Sequence, residues 1–290
     1  MAELLVDPFR SPFMLRALVQ VLLLAVVGGL VGVHVLLRRL AFVTEALQHT
    51  VFPGIVAAFL LGQSLLLGAL AAAVSTVVLL VVTTRARRLD QDGVLALLTA
   101  AAFALGVVLV SRGRSFQHDL TVLLFGRILT VDDRQLVETA ALALVCVIIV
   151  VALHKELVLL AFDETAAAAL GYRPAVLAVV LNVLVALVVV AAIRSVGSVL
   201  VVAFVVTPAA AARSVTRSVG GAMVGAVAFS AVCGWIGLAA SYELSVDHGL
   251  DLASGATVVA VMTLGFLAAV CVGAAARLVG RWRTASLLAS

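Results

Sequence analysis

Residues 65–84 read LLLGALAAAVSTVVLLVVTT, twenty consecutive positions without a charge. A helix needs about 20 residues to cross roughly 30 Å of hydrocarbon, so this stretch alone is long enough to span a bilayer. The rest of the chain is built the same way. Of its 290 residues 64% are hydrophobic and only 12% are charged, with a mean hydropathy of +1.28. Soluble domains average about 45–50% apolar and about 25% charged. No globular core absorbs that excess, so most side chains must be solvated by lipid. The sequence predicts an all-α polytopic membrane protein.

Worked outward from residues 65–84, the same ruler finds about nine spans. They fall near 13–37, 45–62, 65–83, 93–111, 135–153, 175–193, 196–212, 219–240 and 254–276. The second is interrupted by Pro53 and Gly54, and the 175–212 stretch can be divided in more than one way. A single transmembrane domain over 1–290 is expected, with no room for a second, soluble one. Basic residues orient the stack. Twelve, among them Arg38, Arg39, Arg85, Lys155 and Arg213, fall on one side, and seven, among them Arg10, Arg16, Arg112 and Arg194, on the other. That bias predicts the N-terminus outside and the C-terminus inside. The acids Asp119, Asp132, Asp133, Glu243, Asp247 and Asp251 then lie in outer loops.

The remaining composition mostly excludes. A formal charge of +4 with scattered arginines gives no nucleic-acid surface. Cys146, Cys233 and Cys271 each sit in an apolar run without CxxC spacing and read as small buried hydrophobes. The N-terminal MAELLVDPFRSP has acids and a proline where a secretory leader needs a basic start, so no cleaved signal is expected. Lys155 is the only lysine and lacks a glycine-rich phosphate loop, so the chain is no P-loop ATPase alone. HExxH and GxSxG are absent. An enzyme reading has little to stand on, whereas transport needs only a polar path through lipid.

Two segments are more than turns. Residues 111–135, SRGRSFQHDLTVLLFGRILTVDDRQ, hold an apolar stretch too short to span. Residues 154–174, HKELVLLAFDETAAAALGYRP, are alanine-rich after Asp163 and Glu164. Alanine is the best helix former, and Gly171 followed by Pro174 ends a helix well. A short cytoplasmic helix from Asp163 to Leu170 is predicted.

The chemistry-bearing stretch is RRLAFVTEALQHTVFPG, residues 38–54. Glu45 and His49 are four apart and project from one helical face. An ionisable group inside a bilayer costs about 2.5–3.5 kcal/mol on insertion scales, so such groups tend to mark a pathway. Carboxylate plus imidazole suits Mn²⁺, Fe²⁺ or Zn²⁺. Two ligands are too few to hold such an ion; a twofold homodimer would bring a second pair. The alternative is a solvated interfacial pair just beyond Arg38 and Arg39. The break at Pro53 and Gly54 frees backbone carbonyls, tolerable only beside protein or a water-filled cavity.

Residues 36–62, LLRRLAFVTEALQHTVFPGIVAAFLLG, resemble the signature of the permease subunit of ABC transporters that import manganese, zinc or iron, the ABC-3 family. Further matches follow in order: HDLTVLLFGRIL (118–129), FDETAAAALGY (162–172), VGSVLVVAFVVTPAAAA (196–212) and GLAASYELSVDHGLDLASG (237–255). The resemblance runs from about residue 12 to 276. It implies that Glu45 and His49 are the metal-path pair, although the family's usual acid is aspartate. It implies that Asp163, Glu164, Ala167 and Gly171 belong to a coupling helix docking on a separate ATPase. It also implies a permease homodimer, two ATP-binding subunits, an external metal-binding protein and the plasma membrane of a prokaryote. The metal would be cargo, with no permanent cofactor, and manganese is the first expectation. A stand-alone secondary transporter or channel, or an intramembrane metalloenzyme, are the competing readings.

Other residues take blander expectations. His34 near Gly28, Gly29 and Gly32 reads as packing or pore lining, and the glycines as close helix contacts. His118–Asp119 and Asp247–His248–Asp251 read as solvated loop chemistry. Pro208 should bend its helix.

Overall fold

The computed structural model describes residues 7–85, 91–111, 126–248 and 253–288. Among these, twelve α-helices follow one another: α1 (Pro12–Leu37), α2 (Ala41–Thr50), α3 (Phe52–Leu60), α4 (Leu65–Arg85), α5 (Gln91–Ser111), α6 (Asp133–Ala152), α7 (His154–Phe162), α8 (Glu164–Ala169), α9 (Pro174–Val196), α10 (Val201–Val215), α11 (Val219–His248) and α12 (Ser254–Leu288). Short 3₁₀ turns at Asp7–Arg10, Ile128–Thr130 and Ser198–Leu200 complete the described backbone.

Among the described residues, eight segments are long and apolar enough to cross a membrane: α1, the α2–α3 pair taken as Ala41–Leu60, α4, α5, α6, α9, α11 and α12. The ninth expected span is α10, apolar but only 15 residues long. The 175–212 stretch divides at Gly197, whose φ of 88° ends α9 in a conformation that glycine adopts freely.

Burial separates inner from outer helices. The apolar windows of α1, α2–α3 and α9 are 67% buried, against 17% for α5 and α12. The outer helices expose large apolar side chains such as Val82, Leu97, Leu144 and Leu264. In water that surface would be a liability; in lipid it is the expected contact with acyl chains.

Lipid removes most of the hydrophobic drive for helix association, so close packing and polar ties must hold the bundle. α1 is its axis, packed on α6, α9, α10 and α11. A Cβ at Gly32 would overlap the carbonyl of Val205 on α10, so only glycine lets these backbones approach. Gly29 meets Val227 of α11 in the same way, which bears out the packing reading of the α1 glycines. A polar tie lies near the start of α1. Nε2 of Gln20 donates to Thr139 Oγ1 at 3.1 Å on α6 and to Ser195 Oγ at 2.9 Å on α9. Beside it Glu138 accepts from both Arg194 and Arg134. At the opposite end of α1, Arg38 reaches α7 and α8.

Candidate metal-path site

Glu45 and His49 sit on α2, which starts at Ala41, four residues before the span expected from 45. Thr44, Ala46, Leu47 and Gln48 are buried among the inner helices, while Glu45 is exposed and His49 half-buried. The i, i+4 spacing thus places acid and imidazole together on the free face of an otherwise buried helix.

The helix break falls earlier than the sequence suggested. α2 ends at Thr50, Val51 alone joins it to α3, and Pro53 is already the second residue of α3. The physical cause is still the proline: with no N–H, Pro53 leaves the carbonyl of His49 without its helical partner. Gly54 is not part of the break. It meets Gly68 of α4, where a Cβ on either residue would overlap the other's carbonyl. Pro53 therefore shapes the end of α2 that carries His49, and Gly54 locks α3 to α4.

Across from α2 stands α5, and between them runs a groove of about 340 Å³ lined by Phe42, Glu45, Ala46, His49, Ala96, Thr99, Ala100 and Phe103. Ala96 and Ala100 are small enough to leave the space open. Phe103 meets His49 edge-on, with centroids 6.2 Å apart and planes at 89°. Phe52 stacks on the far side of Phe103 at 6.1 Å, and it lies so close to Gly106 that a side chain there would displace it. The hydroxyl of Thr99 is buried and has no hydrogen-bond partner.

Thr99 and Phe103 were not read from the sequence, although their four-residue spacing in the run LALLTAAAFALG puts both on one face. Among the described residues no three of His, Cys, Asp and Glu gather as a metal site. The chain alone presents one acid and one imidazole in a groove open at its surface.

The short helix expected from Asp163 to Leu170 is present as α8, Glu164–Ala169. Asp163 caps it, accepting from the N–H of Ala166 at 2.8 Å. Gly171, at φ 86°, closes it, with Tyr172 N–H donating to the carbonyl of Ala167 at 3.1 Å. Ala167 is fully buried against the bundle. Glu164, Leu170 and Tyr172 face outward, as does Phe162 just before the cap.

His34 is buried, its ring 6.4 Å from that of His154 in an edge contact, and neither ring nitrogen has a hydrogen-bond partner. It packs but is not satisfied. Pro208 lies buried inside α10. His118, Asp119 and Asp251 lie outside the described residues, and of Asp247 and His248 only their place at the end of α11 is described.

Residues 10–273 match the ABC 3 transport family. The chain belongs to that family. As an ABC 3 protein it is a multi-pass membrane subunit of a transport system and not itself an enzyme. The manganese transport system membrane protein MntC of Halalkalibacterium halodurans is 34% identical over 254 residues, 88% of this chain and 85% of that one. The chelated iron transport system membrane protein YfeC of Yersinia pestis is 29% identical over 269 residues, 93% and 89% of the two chains. Among solved structures, PsaBC from Streptococcus pneumoniae in complex with Fab superposes with a TM-score of 0.82 at 27% identity, over 93% of this chain and 95% of that one.

Proposed function

We propose that this ABC 3 protein is the permease of an ATP-driven importer of a divalent transition metal in a prokaryotic plasma membrane, manganese first and iron or zinc close behind. One observation carries the reading. Glu45 and His49 share one face of α2 and line a groove that opens at the surface of the chain instead of closing within it. Relatives named for manganese and iron transport support the cargo class.

A single acid and imidazole do not complete the coordination of Mn²⁺ or Fe²⁺. A second copy related by a twofold axis would present the same pair, giving two carboxylates and two imidazoles. Two carboxylates would also neutralise the dication, which lowers the cost of holding it at membrane depth. The partner copy is thus part of the site. An external binding protein would deliver the metal from the side where α1 begins, and release would follow on the side of α8.

Energy comes from a separate ATPase on this reading. α8 is the docking element: Ala167 anchors it inward, while Phe162, Leu170 and Tyr172 present apolar surface outside the membrane spans. Exposed apolar side chains clustered around a capped helix suit a protein partner.

The experiment is Mn²⁺ uptake into cells whose own manganese importers are deleted. His49→Ala is expected to abolish uptake while the protein still reaches the membrane and binds its ATPase. Normal uptake by that variant would count against the reading.

A further inference from the structure

Arg38 directly follows α1, and its guanidinium joins two elements distant in sequence. Nη1 donates to the carbonyl of Leu160 at 2.9 Å and stands 3.5 Å from Oε2 of Glu164. Leu160 lies in the last turn of α7. The carbonyl before it, that of Leu159, accepts from Asp163 N–H at 2.8 Å. The Leu160 carbonyl comes next, at the end of a helix where carbonyls lack helical donors and the dipole is negative. A cation is the right group to fill it. Glu164 begins α8, so Arg38 holds both sides of the one-residue corner at Asp163.

On its own side Arg38 belongs to the joint between α1 and α2. That joint has no slack. Arg38 N–H donates to His34 at 3.0 Å, Arg39 N–H to Leu36 at 3.3 Å and Leu40 N–H to Val35 at 2.8 Å. Arg39 sits at φ 56°, the one non-glycine residue with positive φ among those described and a conformation that L side chains disfavour. Thr44 then grips the Leu40 carbonyl twice, by its N–H at 3.0 Å and its hydroxyl at 3.1 Å. Glu45 is the next residue. A bonded path therefore runs from Glu164 through Arg38 and Leu40 to the helix that carries Glu45 and His49.

We propose that Arg38 is a positioning residue that passes movement of the α7–α8 corner to α2, and so sets when Glu45 and His49 take up or release the cation. A short joint bonded at every residue moves as a unit, so a shift of α8 on its ATPase must tilt α2 or break the Arg38 bonds. Hydrogen-bond chains and rigid helices are the elements that carry coupling between distant sites. This inference rests on the transport reading above.

The test is made on the complex of permease and cognate ATPase in proteoliposomes, with Mn²⁺ moved per ATP hydrolysed as the readout. The wild-type complex must first show ATP-driven Mn²⁺ uptake; if it shows none, the transport reading itself fails. Given that uptake, Arg38→Ala is expected to lower the Mn²⁺-to-ATP ratio about fivefold, the low end of typical coupling between sites. Arg38→Lys, which keeps a cation on a shorter stem that reaches the two partners less well, should recover part of that loss. Glu164→Gln, at an exposed position, should lower the ratio in the same direction, read per ATPase retained in the complex. An unchanged ratio in Arg38→Ala overturns the proposal. If Arg38→Ala does not assemble, the Glu164→Gln ratio decides alone: a fall supports the proposal, and a wild-type value overturns it.

Discussion

The imidazole of His49 and the ring of Phe103 meet in a T-shaped contact, 6.2 Å between centroids and 89° between planes. A contact of this kind restrains the tilt of the imidazole. Phe103 is in turn held by Phe52, which the bare face of Gly106 accommodates. Phe103→Ala should weaken Mn²⁺ binding by about 0.5–1.5 kcal/mol, the size of an aromatic pair. Phe103→Tyr, which keeps the ring, should bind nearly as the wild type does. Titration of purified protein with Mn²⁺ checks both.

Thr99 offers a second expectation in the same groove. Its hydroxyl is buried without a partner, which is costly unless something in the working cycle bonds to it. If a hydrated cation does so, Thr99→Val should reduce Mn²⁺ uptake while leaving thermal stability unchanged or higher. A variant that transports normally would reduce Thr99 to packing.

The acid itself separates charge from geometry. Glu45→Gln keeps the shape but removes the charge that offsets the dication, and uptake should fall at least about tenfold, since unpaired charge in the membrane is costly. Glu45→Asp keeps the negative charge, so uptake should persist. Its carboxylate, set back by one methylene, should show as an altered order of inhibition by Zn²⁺ and Fe²⁺ in competition assays.

Stability rests on small residues more than on the polar site. Gly54 and Gly68 face each other where α3 crosses α4. Gly68→Val should force the helices apart and destabilise the fold by about 1–3 kcal/mol, the usual cost of overpacking. A lowered thermal midpoint in detergent would show it. Asp163→Ala removes the cap of α8 and should cost about 1 kcal/mol locally, read as weaker retention of the ATPase with little change in the melting of the bundle.

How much of this was legible beforehand differs element by element. Long charge-free runs fixed the crossing helices, because lipid leaves a helix no other way to satisfy its backbone. α8 was legible at both ends: Asp163 caps by an oxygen the sequence displays, and Gly171 closes at a φ that the sequence implies. Glu45 and His49 were legible as a pair because spacing alone decides their shared face. The break before Pro53 was placed two residues late, since the proline's effect is felt one turn back at His49. Thr99 and Phe103 could not be chosen from their own helix, because only the packing of α5 on α2 turns them into the groove. Arg38 was read as a topology signal, and its bonds to Leu160 and Glu164 span more than 120 residues of chain.

The most direct measurement is Mn²⁺ stoichiometry and ligation in the purified permease, followed by electron paramagnetic resonance. A site shared between two copies predicts about one Mn²⁺ per two chains, as a closed twofold interface requires, with nitrogen coupling that His49→Ala removes. One Mn²⁺ per chain, or a nitrogen signal that survives His49→Ala, would contradict it.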